Sequence, residues 1–212
     1  MQEFHHRGTE FGRLLTMFIG TAGLLWSSTA TAHIPIPPKE PTEIGRRVVN
    51  KHVADFKLTD QDGRRFQLSA TRGRVVLVTF IFTTCPDVCP LLTAKFGSIQ
   101  RALTEKRLND YALLSITTDP ERDSAEALKD YARNFKANFE RWSFLTGSRA
   151  ELAQVWKAFG VNVTKTRSGE VQHTSLTTLL DRKGNRRVDY YGDKWKENEI
   201  LKDIQWLAAA KK

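Results

Sequence analysis

Both cysteines of this 212-residue chain lie in one short segment, FTTCPDVCP, at residues 82–90. Cys85 and Cys89 are separated by three residues, with Pro86 after the first and Pro90 after the second. Such a pair can form a disulfide, act as a redox couple or supply two thiolate ligands to a metal ion. A disulfide that closes so small a loop restrains the unfolded chain very little. A redox or metal-binding role is therefore favoured over a structural one, with a structural disulfide as the alternative.

The spacing Cys-x-x-x-Cys differs from the Cys-x-x-Cys of dithiol–disulfide oxidoreductases, and a loop of this length can bring both sulfurs to one point. A metal ion needs further ligands, and His173 in GEVQHTSLTTLLD is the candidate. Two thiolates and one imidazole form a soft set that suits Cu(I), and Cu(II) if an oxygen is added. Zinc is an alternative, although structural zinc usually takes four protein ligands.

The two other histidines beyond residue 32 carry less information. His52 has no spacing signal, so we expect it to be structural or exposed. His33 would become the first residue after cleavage at Ala32, and its imidazole and α-amine together can chelate copper. That chelate is a second candidate metal site.

The N-terminus has the layout of a secretory signal peptide. Arg7 and Arg13 precede or flank an uncharged apolar stretch at 14–26, and the tripeptide ATA at 30–32 fits the small-x-small cleavage pattern. We predict a leader at 1–32, either cleaved or kept as a membrane anchor. The predicted location is the periplasm or the outer face of the inner membrane, where paired cysteines usually become oxidised. The leader contains no cysteine that could carry a lipid.

The net charge of +9 is not altered by loss of the leader, which contains two basic and two acidic residues. In an exported protein this charge favours an anionic membrane surface or an acidic partner protein, with a solvated basic surface as the alternative. We expect no nucleic-acid partner.

The rest of the chain predicts one domain at 48–212, preceded by a proline-rich linker at 33–47. Buried strands are predicted at 75–82, 111–118 and 142–147, and hairpins at 55–69 and around RKGN. Helices are predicted after Pro90, after an Asp123–Glu126 capping pair, after the Ser148–Glu151 capping box up to Gly160, and at 196–210. Trp142, Phe144 and Trp156 are predicted to be core.

This alternation of strands and helices predicts an α/β thioredoxin-like fold, a central mixed sheet with helices on both faces and with N-terminal and C-terminal hairpins. The cysteines then lie at the carboxyl end of a central strand, where open α/β sheets place ligands. The following helix directs its positive end at a nearby thiolate. His173 precedes the strand expected beside the cysteine strand, so it would face the sulfurs across the cleft.

Four segments, in this order and spacing, resemble the Sco/SenC proteins: FTTCPDVCP at 82–90, TTDPERDSAEALKDYA at 117–132, FLTG at 144–147 and HTSLTTLLDRKGN at 173–185. The resemblance extends from about residue 53 to residue 209. Members of that family are thioredoxin-like copper-binding proteins that help assemble the copper centre of cytochrome c oxidase. The resemblance implies that Cys85, Cys89 and His173 are copper ligands. It also implies that Asp119 lies close to the metal or to its ligands.

Two positions depart from the family pattern. Ser124-Ala125 stands where Thr-Pro is frequent, a mild change at a helix start. Gln172 stands where an acidic residue often precedes the histidine, which removes one oxygen near the site.

The resulting hypothesis is an exported copper chaperone that binds Cu(I) or Cu(II) and delivers it to an oxidase subunit. Its further partners would be an upstream copper donor and a thiol reductase. On this hypothesis the chain is not an enzyme. The alternatives are a thiol–disulfide reductase, which needs Cys85 and Cys89 but not His173, a peroxidase of the same fold, and a copper or redox sensor.

Overall fold

The computed structural model describes residues 45–210, so the predicted leader, His33 and the linker up to residue 44 lie outside the described residues. Within that range the strands are β1 (Arg46–His52), β2 (Lys57–Asp60), β3 (Arg65–Gln67), β4 (Val75–Ile81), β5 (Tyr111–Thr117), β6 (Trp142–Thr146), β7 (Val163–Lys165), β8 (Val171–His173), β9 (Leu176–Leu180) and β10 (Asn185–Tyr191). The helices are α1 (Val88–Glu105), α2 (Ala125–Asn134), α3 (Arg149–Phe159) and α4 (Glu197–Ala209). None of the helices in residues 45–210 combines the length and apolar character that a membrane span requires.

Eight of the strands form one mixed sheet in the order β1-β10-β9-β4-β5-β6-β2-β3. β4 and β6 both run parallel to β5, and the other neighbours are antiparallel. The hairpins β2–β3 and β9–β10 are the two predicted ones. β7 and β8 pair only with each other, as a separate two-stranded sheet.

The centre of the sheet is buried on both faces, since each residue of β4 and β5 is buried. Alternate side chains of β4 enter two different cores: Val75, Leu77 and Ile81 face one, and Val76, Val78 and Phe80 the other. The first core includes residues of α1, α2 and α4, and the second those of α3. Helices therefore cover both faces, as predicted. The predicted core residues Trp142, Phe144 and Trp156 are all buried.

Two local predictions were wrong. Ser124, not Asp123, is the N-cap of α2, and its side chain accepts a hydrogen bond from the Ala127 N–H. Asp123 is fully buried instead. Pro90, predicted to start α1, is its third residue; it still lies in the first turn, where a missing N–H costs no intrahelical bond.

The predicted capping box at the start of α3 is present, and it carries a stability prediction. The Glu151 carboxylate accepts hydrogen bonds from the Ser148 N–H at 2.9 Å and from Arg65 at 2.7 Å. The Arg65 guanidinium and Ser148 lower the pKa of Glu151 to about 2. We expect Glu151→Ala to lower the free energy of unfolding by about 1 kcal/mol at pH 7.

The sign of its pH dependence follows from the lowered pKa. A carboxyl group with a pKa below its unfolded value stabilises the fold above the unfolded pKa and loses that contribution as the pH falls through the folded value of about 2. The difference between wild type and Glu151→Ala should therefore shrink between pH 5 and about 2, as measured by urea unfolding. Glu151→Gln, which keeps a capping acceptor, is the control. A difference that stays constant down to pH 2 would contradict an ionic contribution.

Candidate metal-binding site

The two cysteines flank the point where the loop after β4 becomes a helix. The loop leaves the sheet after Ile81, and α1 begins at Val88, so Cys89 is in its first turn. The Cys89 N–H donates a hydrogen bond to the Cys85 sulfur at 3.5 Å. First-turn N–H groups have no partner inside a helix, and they carry its partial positive charge. The Cys85 sulfur therefore lies at the positive end of α1, at the predicted edge of the sheet.

Burial distinguishes the two thiols, both of which are free. Cys85 is 8% exposed, whereas Cys89 is 0% exposed. Burial raises the pKa of the Cys89 thiol, and a hydrogen bond with the Phe82 backbone opposes that rise only in part. The thiolate stabilisation expected from the helix dipole is thus outweighed at Cys89. A metal cation bound by Cys89 would supply the missing positive charge, because coordination deprotonates a thiol.

His173 lies at the same end of the sheet as the cysteines. It ends β8, and the next strand, β9, runs antiparallel to β4 with Thr177 opposite Thr79. Continuing that register places residue 173 beyond the carboxyl end of β4, beside the cysteine loop. The imidazole packs edge-on against the Phe82 ring, with 5.9 Å between ring centroids.

The Nε2 atom of His173 is available to ligate a metal ion. Its Nδ1 lies 3.0 Å from the Thr174 carbonyl oxygen. Because a carbonyl oxygen only accepts, Nδ1 carries the proton in this contact, and Nε2 of the neutral ring has a free lone pair. Burial lowers the pKa of His173, which favours that neutral, ligating form.

The three predicted ligands lie at one end of the sheet but are not close enough together to coordinate one metal ion. Among residues 45–210, no three His, Cys, Asp or Glu side chains are grouped closely enough to hold a metal ion. The Cys89 N–H lies 3.5 Å from the Cys85 sulfur, and His173 packs against Phe82, which precedes the cysteine loop.

A buried carboxyl group fixes the start of the cysteine loop. Asp123 accepts hydrogen bonds from the Thr83 N–H at 3.2 Å and from the Thr83 and Thr117 hydroxyls, both at 2.5 Å. Burial raises the pKa of Asp123. This residue ties the loop after β4 to the end of β5. This role was not predicted from the sequence, because Asp123 precedes a helix, where an aspartate usually acts as a cap.

A second polar chain supports the first turn of α1. The Thr93 hydroxyl lies 2.8 Å from the Cys89 carbonyl oxygen, to which it donates, and 2.9 Å from the Tyr131 hydroxyl. Burial raises the pKa of Tyr131, so its hydroxyl stays protonated. The backbone of Cys89 is thereby linked to α2.

Asp119, the fourth predicted site residue, is fully buried with both carboxylate oxygens in ion pairs. Oδ1 accepts from the Lys165 ammonium at 2.7 Å, and Oδ2 from Arg122 at 3.2 Å. Proximity of Asp119 to the metal stays a prediction. His52, expected to be structural or exposed, is exposed on β1 and lies 3.2 Å from the Asn185 side-chain oxygen.

A family model described as SCO1/SenC matches residues 45–209 of the chain. A SCO1/SenC family lipoprotein from Bacillus anthracis str. Ames aligns with a TM-score of 0.71 and 30% identity, over 76% of this chain and 98% of that one. BsSco is a member of the Sco family of cytochrome c oxidase assembly proteins with an identified disulfide switch. It aligns with a TM-score of 0.68 and 32% identity, over 78% of this chain and 98% of that one. ScoI from Bradyrhizobium japonicum with copper bound aligns with a TM-score of 0.63 and 31% identity, over 73% of this chain and 98% of that one. These similarities confirm the predicted α/β thioredoxin-like fold.

Proposed function

Because the chain belongs to the SCO1/SenC family, we propose that it is a copper chaperone that serves the assembly of a cytochrome c oxidase. One observation carries the proposal: two free thiols and an imidazole with a free Nε2 lie at the same end of the sheet. Copper bound to the related ScoI, and the oxidase-assembly role of the family to which BsSco belongs, support the same cargo and the same process.

The donor set determines how the cargo is held and released. Two thiolates and one neutral imidazole suit Cu(I), and a Cu(II) ion would add an oxygen ligand. Cys85, Cys89 and His173 are the ligands in this proposal. An incoming thiolate of the acceptor replaces one bond at a time, so the ion passes between soft sites without being released into water. The acceptor is an oxidase subunit that binds copper.

The proposed location is outside the cytoplasm, in the periplasm or on the outer face of the inner membrane. The signal-peptide pattern at 1–32 supports export. The related Bacillus anthracis protein is a lipoprotein, which is consistent with a membrane-associated family member. In this chain both cysteines belong to the folded domain, so a retained leader rather than a lipid would provide the anchor.

A thiol–disulfide reductase is the second candidate function. Cys85 and Cys89 are both free, and the Cys89 N–H lies 3.5 Å from the Cys85 sulfur, which supports exchange chemistry with a target disulfide. The disulfide switch of BsSco supports redox activity in a relative. This function uses the same two sulfurs and leaves His173 without a role.

Copper titration of the reduced and the oxidised protein tests the proposal. A disulfide sulfur has no thiolate charge to offer a metal, so copper binding and the Cys85–Cys89 disulfide should exclude each other. We expect about one copper ion per reduced chain and weak binding by the oxidised chain at neutral pH. The control is Cys85→Ser/Cys89→Ser, which should behave like the oxidised protein. Equal stoichiometry and affinity in both redox forms would move the metal site elsewhere, first to His33 at a new N-terminus.

A further inference from the structure

The hairpin that ends at His173 has no strand pairing with the main sheet. β7 and β8 bond only to each other, with Val163 opposite His173 and Lys165 opposite Val171. Each of these strands has three residues. So short a pair is not stable alone and depends on contacts with the rest of the domain.

Four charged side chains fasten this hairpin to the loop that follows β5. Lys165 donates to Asp119 at 2.7 Å and also forms an ion pair with Glu121. Arg122 donates to Asp119 at 3.2 Å and to the Gly169 carbonyl oxygen, in the turn of the hairpin, at 3.2 Å. We call Asp119, Glu121, Arg122 and Lys165 the hairpin clamp.

The burial of Asp119 makes the clamp more than a surface ion pair. Its side chain is 0% exposed, and that of Lys165 is 27% exposed. A buried carboxylate that loses its cation keeps its desolvation cost without compensation, so the two groups hold each other firmly. The Asp119 N–H also donates to the Thr117 hydroxyl at 2.9 Å, which fixes the loop end of the clamp to β5.

We propose that the hairpin clamp positions His173 for copper, and that Asp119 is therefore a positioning residue rather than a ligand. The proposal rests on the proposed copper-chaperone function. The pairing of β7 with β8 transmits the constraint, since Lys165 lies two residues from Val163, the partner of His173. Holding the hairpin near the cysteine loop reduces the conformational entropy that is lost when the imidazole joins the two sulfurs.

The central test is Lys165→Met, which removes the ammonium and keeps a side chain of similar length. We expect the affinity of the reduced protein for copper to fall about fivefold to tenfold, the effect of a partly exposed ion pair with one buried member. Lys129→Met is the matched control, because Lys129 pairs with Asp62 at 2.7 Å and is 33% exposed but lies on α2. Its copper affinity should stay unchanged. Equal losses in both variants would overturn the proposal.

Combination with His173→Ala separates positioning from a general loss of structure. Since the clamp acts only through the imidazole, Lys165→Met should have no further effect on copper affinity once His173 is alanine. Asp119→Asn should reproduce the loss seen in Lys165→Met and add little to it. A loss that persists in the His173→Ala protein would refute the proposal. So would a loss in Asp119→Asn that persists in the His173→Ala protein, which would indicate direct contact of Asp119 with copper.

Amide hydrogen exchange tests the clamp without any metal. The Thr166, Gly169 and Thr174 N–H groups are bonded within and beside the hairpin. We expect their exchange to be faster in metal-free Lys165→Met than in wild type, and unchanged in Lys129→Met. Unchanged amide exchange in Lys165→Met would refute the clamp, regardless of the copper affinity of that variant. Faster exchange in a protein that binds no copper would instead leave the clamp intact and reject the copper-chaperone function.

Discussion

We expect His173→Ala to lower the affinity of the reduced protein for copper by a factor of about 100 or more while leaving thiol–disulfide exchange intact. Replacing groups that merely support a metal ligand already costs about 10–100-fold, so removing a ligand costs at least the upper end of that range. The imidazole makes its polar contact with the Thr174 carbonyl oxygen, and it contacts the cysteine loop through the Phe82 ring. Its loss should therefore leave Cys85 and Cys89 free to react.

The measurement is a competition titration with a Cu(I) chelator, run beside the rate of reduction of a model disulfide. His52→Ala is the matched control, because His52 is exposed on β1 and its Nδ1 lies 3.2 Å from the Asn185 side-chain oxygen. Copper affinity that is unchanged in His173→Ala, with exchange retained, would favour the reductase over the chaperone.

The largest loss of stability is expected from Asp189→Ala, at about 3–5 kcal/mol in the free energy of unfolding. Asp189 is 2% exposed and accepts two hydrogen bonds from the Arg186 guanidinium, at 2.5 and 2.6 Å. The Thr178 hydroxyl also donates to it, at 2.7 Å. Removing the carboxylate leaves a buried guanidinium whose charge has lost its partner in this pair.

Urea unfolding of the reduced, metal-free protein measures this loss. Asp130→Ala is the comparison, because Asp130 pairs with Arg133 at 3.0 Å on the surface of α2 and is 65% exposed. We expect its effect to stay below about 0.5 kcal/mol. Similar effects of the two substitutions would show that the Arg186–Asp189 pair is hydrated in solution and that its burial does not govern its contribution.

The elements that the sequence predicted best are those in which local pattern and tertiary packing agree. β4 and β5 are predominantly apolar and β-branched runs, and each of their residues is buried. The Ser148–Glu151 capping box starts α3, and Gly160 ends it with φ of 69°. Glycine adopts that left-handed conformation without a steric penalty, so its position marks the helix end in the sequence.

The strands that were not predicted owe their conformation to distant partners. β1 reads RRVVNKH, is mostly exposed, and lies at the edge of the sheet against β10. No apolar alternation marks such a strand in the sequence. The three-residue strands β7 and β8 depend on ion pairs with residues more than forty positions away. Their existence follows from tertiary contacts that no local pattern contains.

The site shows the same division. The predicted order of strands and helices was enough to place Cys85, Cys89 and His173 at one end of the sheet, and their role as copper ligands stays a prediction. The pKa of Cys89 was not predictable, because its burial depends on how α1 packs against the sheet. The roles of Asp119 and Asp123 were also hidden, since Lys165 and Thr83, which contact them, are distant in the sequence.

The unequal burial of the two cysteines means that a reactant from solution can approach only the Cys85 side of the pair. Cys85 is 8% exposed beside the exposed Pro86, whereas Cys89 is 0% exposed beneath the first turn of α1. In the oxidised protein, an external thiolate would attack the Cys85 sulfur and form a mixed disulfide there, and the departing Cys89 sulfur would take up a proton because burial raises its pKa. In reverse, Cys89 attacks that mixed disulfide from inside and releases the external thiol. A thiol or a copper ion that arrives from solution should therefore meet Cys85 before Cys89.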